Sequence, residues 1–139
     1  MTDKILLTPA TSLPCNLQEN IQIVVKTKFE AEQSDVNAKR FVFSYNITIK
    51  NTAAHNVQLL SRRWVVTDGN QNQQEIQGEG VIGEQPIIAP YASYEYSSGA
   101  VLETNVGSMF GHYNMITEQG DKFTAQIEAF TLAKPNALH

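Results

Sequence analysis

Alternation of apolar and polar residues is the feature that most constrains the fold of this chain. In residues 21–29 nearly every second position is apolar, and in residues 41–49 the alternating set is Phe41, Phe43, Tyr45, Ile47 and Ile49. A period of two residues is typical of a half-buried β-strand. No window has the i, i+3, i+4, i+7 apolar spacing of an amphipathic helix. The chain is therefore expected to be built from strands.

Further strands are predicted at residues 57–67, 72–77, 93–98 and 109–117, and from Lys122 onward. The strand with Trp64 is apolar on both faces, which favours a central position, whereas residues 72–77 are polar and favour an edge strand or an exposed return. The apolar phase changes in the last strand, which predicts a bulge near Glu128. About seven or eight short strands spaced by roughly 8–12 residues predict an all-β fold, an immunoglobulin/fibronectin III-like β-sandwich of two antiparallel sheets.

Two turn signals interrupt the strands. Asp68 and Gly69 predict a two-residue hairpin with a type I′ turn, in which both central residues need a positive φ. Pro86 and Pro90 flank a short apolar pair and exclude a helix there. The segment between the two signals holds the most conspicuous motif of the chain.

Length and composition fit one soluble domain. The 139 residues are 42% hydrophobic and 17% charged, and the formal net charge is −4, which argues against nucleic acid or an anionic membrane as a partner. Cys15 is the only cysteine, which suits a cytoplasmic location. We expect a flexible N-terminal arm at residues 1–19, the sandwich at residues 20–133 and a C-terminal tail at residues 134–139.

Residues 78–83 read Gly-Glu-Gly-Val-Ile-Gly and match the GxGxxG pattern. The dinucleotide-binding form of this motif needs a buried strand before it and a helix N-terminus after it. A glutamine-rich segment precedes this string and prolines follow it, so the context fails. One interpretation is a structural loop that needs positive φ or close packing.

The other interpretation of the string is an anion site formed by backbone N–H groups. The nearby Glu79 and Glu84 would repel a phosphate unless Arg62, Arg63 or a divalent ion offset them. Arg62 and Arg63 are adjacent on a strand and should point to opposite faces. The candidate ligand-binding residues of this interpretation are Gly78, Glu79, Gly80, Gly83, Arg62 and Arg63.

No catalytic set is predicted. GxSxG and HExxH patterns are absent, and His55, His112 and His139 are far apart in the sequence, so neither a nucleophile nor a metal site is expected. Glu79 and Glu84 would hold magnesium only weakly. The chain is expected to have no enzymatic activity and no cofactor.

Several blocks of residues, in order, resemble the ApaG family: 40–45, 57–64, 78–86, 94–99, 107–113 and 130–133. The similarity runs from about Asn20 to Ala133. It implies a fibronectin-III-like bacterial protein without established catalytic activity, in a family linked to cobalt tolerance and magnesium efflux. The family's genes tend to lie beside a diadenosine tetraphosphate hydrolase and an rRNA dimethyltransferase. Related domains of eukaryotic F-box and polymerase-associated proteins resemble interaction modules. This chain departs from the family at Tyr91 and Ala100, where Gly and Cys are frequent.

These observations predict a non-enzymatic module that presents a loop and a strand edge to a protein partner. The predicted contacts are the edge at residues 72–77 and the tyrosines Tyr91, Tyr94 and Tyr96, because Tyr is favoured in recognition surfaces. The alternative is a sensor that binds pyrophosphate-type anions or Mg-nucleotide at the glycine string. An exposed strand edge would also allow homodimerisation by sheet extension.

Overall fold

A computed structural model describes residues 17–137. It contains the strands β1 (Ile21–Phe29), β2 (Phe41–Asn51), β3 (Val57–Asp68), β4 (Gln73–Glu79), β5 (Ile87–Ile88), β6 (Ser93–Leu102), β7 (Val106–Thr117) and β8 (Lys122–Ala133). Short 3-10 turns occur at Gln18–Asn20 and Ala31–Gln33. The predicted arm at residues 1–19 and the predicted tail at residues 134–139 each lie partly outside the described residues and stay predictions.

The strands form two antiparallel sheets, which confirms the predicted β-sandwich. One sheet has the order β1-β2-β6, and the other has the order β4-β3-β7-β8, with β5 also paired to β3. The polar strand β4 lies at the edge of the larger sheet, as its sequence predicts. Strand β3 lies between β4 and β7, which confirms the central position predicted for the strand that carries Trp64.

The core lies between the sheets and contains the alternating set of β2, all of whose members are buried. Trp64 faces this set from β3. Its ring makes edge-on contacts with the rings of Tyr45, Tyr113 and Phe130, at centroid distances of 5.6, 6.4 and 5.8 Å. Aromatic pairs prefer this edge-to-face arrangement because it places a positive ring edge over a negative ring face.

Two bulges set the phase of the strands. The register of β3 with β7 passes from Leu59 to Ser61 without a partner for Leu60, so Leu60 is an extra residue that reverses the inward phase. After it, Arg62 and Trp64 face the interior side. On β8 two residues, Glu128 and its neighbour, oppose one residue of β7, which confirms the bulge predicted near Glu128.

The hairpin between β3 and β4 differs from the predicted type I′ turn. Its loop covers residues 69–72, and the positive φ of 69° belongs to Gln71 rather than to Gly69. The Asp68 carboxylate accepts the backbone N–H groups of Asn70 and Asn72, at 2.8 and 3.0 Å. Because an aspartate side chain can bond backbone groups a few residues on, it stabilises this longer loop. The prediction of a two-residue loop was wrong.

Asn51 connects the two sheets at the end of β2. Its buried carboxamide NH2 group donates to the carbonyl oxygens of His55, Ile88 and Ala89, at 2.8, 3.0 and 3.3 Å. Its oxygen accepts the N–H of Ala53 at 2.9 Å. A buried amide with these partners is stabilised rather than costly, and it holds the short strand β5 in place.

Candidate functional site

The glycine string folds as a tight turn. The Gly80 N–H donates to the Leu60 carbonyl at 2.8 Å, and Val81 and Glu84 exchange two backbone hydrogen bonds of 2.8 and 2.9 Å. The two residues between them, Ile82 and Gly83, have φ values of 48° and 76°. Positive φ at both central residues is the geometry of a type I′ turn. The turn type predicted at Asp68 therefore occurs in the glycine string.

The glycines of the string have different structural requirements. Gly80 has a φ of 62°, and a Cβ atom there would lie 2.0 Å from the Glu84 carbonyl oxygen. Gly83 has a positive φ, but a Cβ atom there would meet open space. Positive φ and close packing are the requirements that the structural interpretation of the motif predicts.

Arg62 lies across the start of the string. A Cβ atom on Gly78 would be 2.8 Å from Arg62 Nη1. The guanidinium therefore occupies space that a side chain at position 78 would fill. Arg62 Nη1 donates to the carbonyl oxygens of Gly80 and Glu79, at 2.8 and 3.3 Å. The guanidinium thus stabilises the string by binding its carbonyl groups.

Arg63 points to the opposite face of the sheet, as predicted for adjacent strand residues. There it forms an ion pair with Glu75 of β4. The structure therefore brings Arg62 together with Gly78, Glu79 and Gly80. It leaves Arg63 on the outer face, and Gly83 at the tip of the turn.

Glu84 connects the turn to the smaller sheet. The Tyr94 hydroxyl of β6 donates to Glu84 Oε1 at 3.0 Å. Desolvation raises the pKa of Tyr94, and the hydrogen bond and negative charge of Glu84 raise it further. The carboxylate that was expected to repel a phosphate is thus a hydrogen-bond acceptor within the fold.

Tyr96 is a core residue and not a surface contact, which corrects the prediction for this side chain. The alternation of β6 places Tyr96 on the inner face, where its hydroxyl shares a hydrogen bond with the hydroxyl of Tyr113. Burial raises the pKa of both hydroxyls, while the nearby Arg62 acts in the lowering direction. Sequence reasoning missed this pair, although Tyr113 alternates in phase with the apolar Met109 and Met115.

The buried tyrosine pair predicts a loss of stability at alkaline pH. Burial raises both folded-state pKa values above the ordinary value of 10.0, so the contribution of this pair to stability is constant below that pH. Above it, the unfolded chain releases protons that the folded chain retains. The free energy of unfolding should then fall by about 1.4 kcal/mol per pH unit for each tyrosine. Urea denaturation at several pH values measures this slope.

Tyr113→Phe should reduce the alkaline slope to about half, because one of the two linked protons is removed. An unchanged slope in this variant would show that the tyrosine pair does not cause the alkaline loss.

The connection from β4 to β6 exposes apolar side chains. Ile82 is 60% exposed and Tyr91 is 66% exposed. Tyr91 has a φ of 62° and is the third residue of a turn closed by the Ala92 N–H and the Ala89 carbonyl at 3.0 Å. With Pro90 second, this is the arrangement of a type II turn, whose third position favours Gly. Positive φ is likewise uncommon for a β-branched residue such as Ile82.

Residues 17–137 contain neither a cluster of metal-ligating side chains nor a membrane-spanning helix. Within them, no group of three or more His, Cys, Asp or Glu side chains is placed to hold a metal ion. No helix in the same range is both long enough and apolar enough to cross a bilayer. Cys15 and His139 lie outside the described residues.

Known proteins resemble this chain over most of its length. A family model of the ApaG domain matches residues 31–117. Protein ApaG of Thiobacillus denitrificans is 53% identical over 119 residues, which cover 86% of this chain and 94% of that protein. Protein ApaG of Vibrio cholerae is 51% identical over 128 residues, which cover 92% of this chain and 98% of that protein.

Solved structures share the fold. An X-ray structure of a Northeast Structural Genomics Consortium target has a TM-score of 0.84 and 43% identity, and the match covers 88% of this chain and 93% of that chain. A Bordetella pertussis protein called ApaA has a TM-score of 0.82 and 40% identity, with 84% and 95% covered. The sequence blocks, the sandwich and these similarities lead to one conclusion: the chain belongs to the ApaG family.

Proposed function

We propose that this protein is a non-enzymatic interaction module that binds a protein partner through the connection from β4 to β6. The supporting observation is that Ile82 and Tyr91 are both exposed and both held at positive φ. Holding a residue with a side chain at such a φ costs about 1–2 kcal/mol. Neither residue offsets this cost by burying its side chain. Backbone strain of this kind clusters at functional sites.

The connection presents these side chains from a fixed backbone. Arg62 binds the Gly80 carbonyl, Glu84 accepts the Tyr94 hydroxyl, and Asn51 binds the carbonyl groups of Ile88 and Ala89. Because a preorganised surface loses less conformational entropy on binding, small apolar contacts can contribute affinity. Ile87, in the middle of the connection, is also exposed and extends the apolar surface.

Tyr91 makes the surface particular to this chain, since the family resemblance implies that Gly is frequent at this position. The partner is thus expected to distinguish this protein from relatives with Gly there. We assign the family's link with cobalt tolerance and magnesium efflux to the same partner-dependent route.

The alternative of an anion or Mg-nucleotide sensor stays a prediction with less geometric support. Arg62 Nη1 already donates to two carbonyl oxygens. The N–H groups of Gly80, Val81 and Glu84 also donate within the fold. A phosphate at the string would have to replace these acceptors, and Arg63 faces the opposite side.

Relief of the strain gives a direct test of the proposed surface. Ile82→Asn creates the Asn-Gly pair favoured in type I′ turns, and Tyr91→Gly supplies the residue favoured in a type II turn. Each change should raise the free energy of unfolding by about 1 kcal/mol. Both should reduce the amount of partner recovered by affinity capture after crosslinking. Urea denaturation and quantitative mass spectrometry measure the two effects.

In these variants stability should rise while the amount of captured partner falls. Unfolding is therefore excluded as the cause of the lost binding. Val24→Thr is the matched control, because Val24 is 54% exposed on β1 at an ordinary strand position. It should leave both stability and capture unchanged. If Ile82→Asn with Tyr91→Gly recovered the same proteins in the same amounts as the original chain, the proposed surface would be wrong.

A further inference from the structure

One side of the sandwich is open between the edge strands β4 and β6. A cleft of about 260 Å³ lies there, with the core residues Tyr45, Val66 and Met109 among those that line it. Ile76 of β4 and Val101 of β6 also line the cleft and are 39% and 49% exposed. Apolar surface beside an unpaired strand edge is a site where another strand can add.

The hydrogen-bonding groups of β4 are divided between β3 and solvent. The bonds from Asp68 N–H to the Asn72 carbonyl and from Gly80 N–H to the Leu60 carbonyl fix the phase of the ladder at both ends. Because the register between them is continuous, the even-numbered residues of β4 bond to β3. The backbone groups of Gln73, Glu75, Gln77 and Glu79 therefore point outward.

Apart from the charges of Glu75 and Glu79, this edge lacks the features that protect edge strands. It has seven residues and contains neither proline nor lysine, and its pairing with β3 shows no bulge. Natural proteins commonly use such features to prevent edge-to-edge pairing. Their absence from β4 leaves its outward row of donors and acceptors accessible, with only the Glu79 carbonyl in a second contact, to Arg62 Nη1 at 3.3 Å.

We propose that β4 pairs antiparallel with β4 of a second copy of this chain, about a twofold axis at Ile76. The larger sheets of the two copies then form one continuous sheet. Gln73 lies opposite Glu79 of the second copy, and Glu75 lies opposite Gln77. The paired edges exchange about eight backbone hydrogen bonds. The surface is distinct from Ile82 and Tyr91, so this inference does not depend on the proposed function.

The charges of β4 select this register. The outward-pointing groups belong to the odd-numbered residues of β4, so only registers that pair odd-numbered residues with odd-numbered residues form hydrogen bonds. Successive registers of this kind differ by a shift of one copy by two residues. A shift to one side places Glu75 opposite Glu75 of the second copy. A shift to the other side places Glu75 opposite Glu79. Like charges directly opposite are destabilising, so the register centred at Ile76 is the longest one without a carboxylate pair.

The inner face of the same register is complementary. Ile76 lies opposite Ile76 of the second copy, where their contact covers the entrances of the two clefts. Gln74 lies opposite Gly78, over which the Arg62 guanidinium is packed. The Gln74 side-chain oxygen of the second copy then serves as an acceptor for Arg62. The second copy thus completes both an apolar and a polar contact.

Sedimentation velocity of the full chain over a concentration series tests the dimer, which should appear as the concentration rises. Gln77→Pro removes an outward N–H without disturbing the bonds of β4 to β3, so it should give a monomer. Thr27→Pro is the matched control. It removes an outward N–H from the edge of β1, whose ladder phase is fixed by the bond from Thr52 N–H to the Asn20 carbonyl, and it should dimerise normally. A monomer at every concentration, or equal loss in both variants, would overturn the proposal.

A change of charge at Gln77 tests the register itself. Gln77→Lys places lysine opposite Glu75 of the second copy and should tighten the dimer by about five- to tenfold, whereas Gln77→Glu should weaken it by a similar factor. Within one copy Gln77 lies opposite Arg63, so the effects on monomer stability have the reverse sign. A Lys variant that weakened the dimer would contradict the twofold axis at Ile76.

Discussion

Gly80→Ala is expected to lower the free energy of unfolding by about 3 kcal/mol or more, whereas Gly83→Ala should lower it by about 1 kcal/mol. Both residues have positive φ, which costs an alanine roughly 1–2 kcal/mol. Only at Gly80 does the added Cβ atom meet backbone, 2.0 Å from the Glu84 carbonyl oxygen. That overlap requires the turn to move, and overpacking of this kind costs typically 1–3 kcal/mol more.

Urea denaturation of the two variants measures this difference, with Gly83→Ala as the control for φ alone. Equal losses would show that close packing at Gly80 does not determine the turn. The comparison also tests the structural interpretation of the GxGxxG motif. That interpretation predicts a larger loss of stability at Gly80, which packs closely against Glu84, whereas phosphate binding gives no such difference between the two glycines.

Trp64→Ala should lower the free energy of unfolding by about 3–5 kcal/mol, since a large aromatic side chain is removed from a filled core. The ring contacts aromatic residues of three different strands, namely Tyr45 of β2, Tyr113 of β7 and Phe130 of β8. Thermal unfolding followed by circular dichroism measures the loss. A cavity at this position affects both sheets, so the whole domain should unfold at lower temperature.

Phe110→Ala provides the comparison for Trp64. Phe110 is an exposed aromatic residue of the neighbouring strand β7, and its removal should cost no more than about 1 kcal/mol. If the two variants were equally destabilised, Trp64 would not be the centre of the core.

The sequence predicted the fold where the apolar pattern is local. The alternation in β2 predicts which side chains are buried, because the period-two pattern within one strand identifies its buried face without knowledge of the neighbouring strands. In β3 the same reasoning leaves the inward set undetermined. The extra residue at Leu60 is identified only by the register with β7, and that register depends on tertiary pairing. Arg62 faces inward for this reason.

The turns show a similar division. Asp68 and Gly69 fit the composition of a type I′ turn, but the Asp68 side chain stabilises a longer loop. The type I′ turn occurs at Ile82, which propensity disfavours at positive φ. The surrounding packing overrides propensity there, through buried Val81 and the contact of Gly80 with Glu84.

The candidate site was only partly predictable. Adjacent positions in a strand were enough to place Arg62 and Arg63 on opposite faces. The hydrogen bond between Tyr96 and Tyr113 joins residues of different sheets, so it depends on how the sheets face each other. No local pattern contains that information, which is why Tyr96 was assigned to the surface.

Asn51 has a consequence for the cooperativity of unfolding. Its carboxamide belongs to the smaller sheet, and one of its acceptors, the Ile88 carbonyl, belongs to the larger sheet. Separation of the sheets would break the bonds from this amide to the Ile88 and Ala89 carbonyl groups, at a cost of about 1 kcal/mol each. Neither sheet can therefore detach without losing stability in the other. The sandwich should unfold as one unit, with subglobal openings confined to its ends.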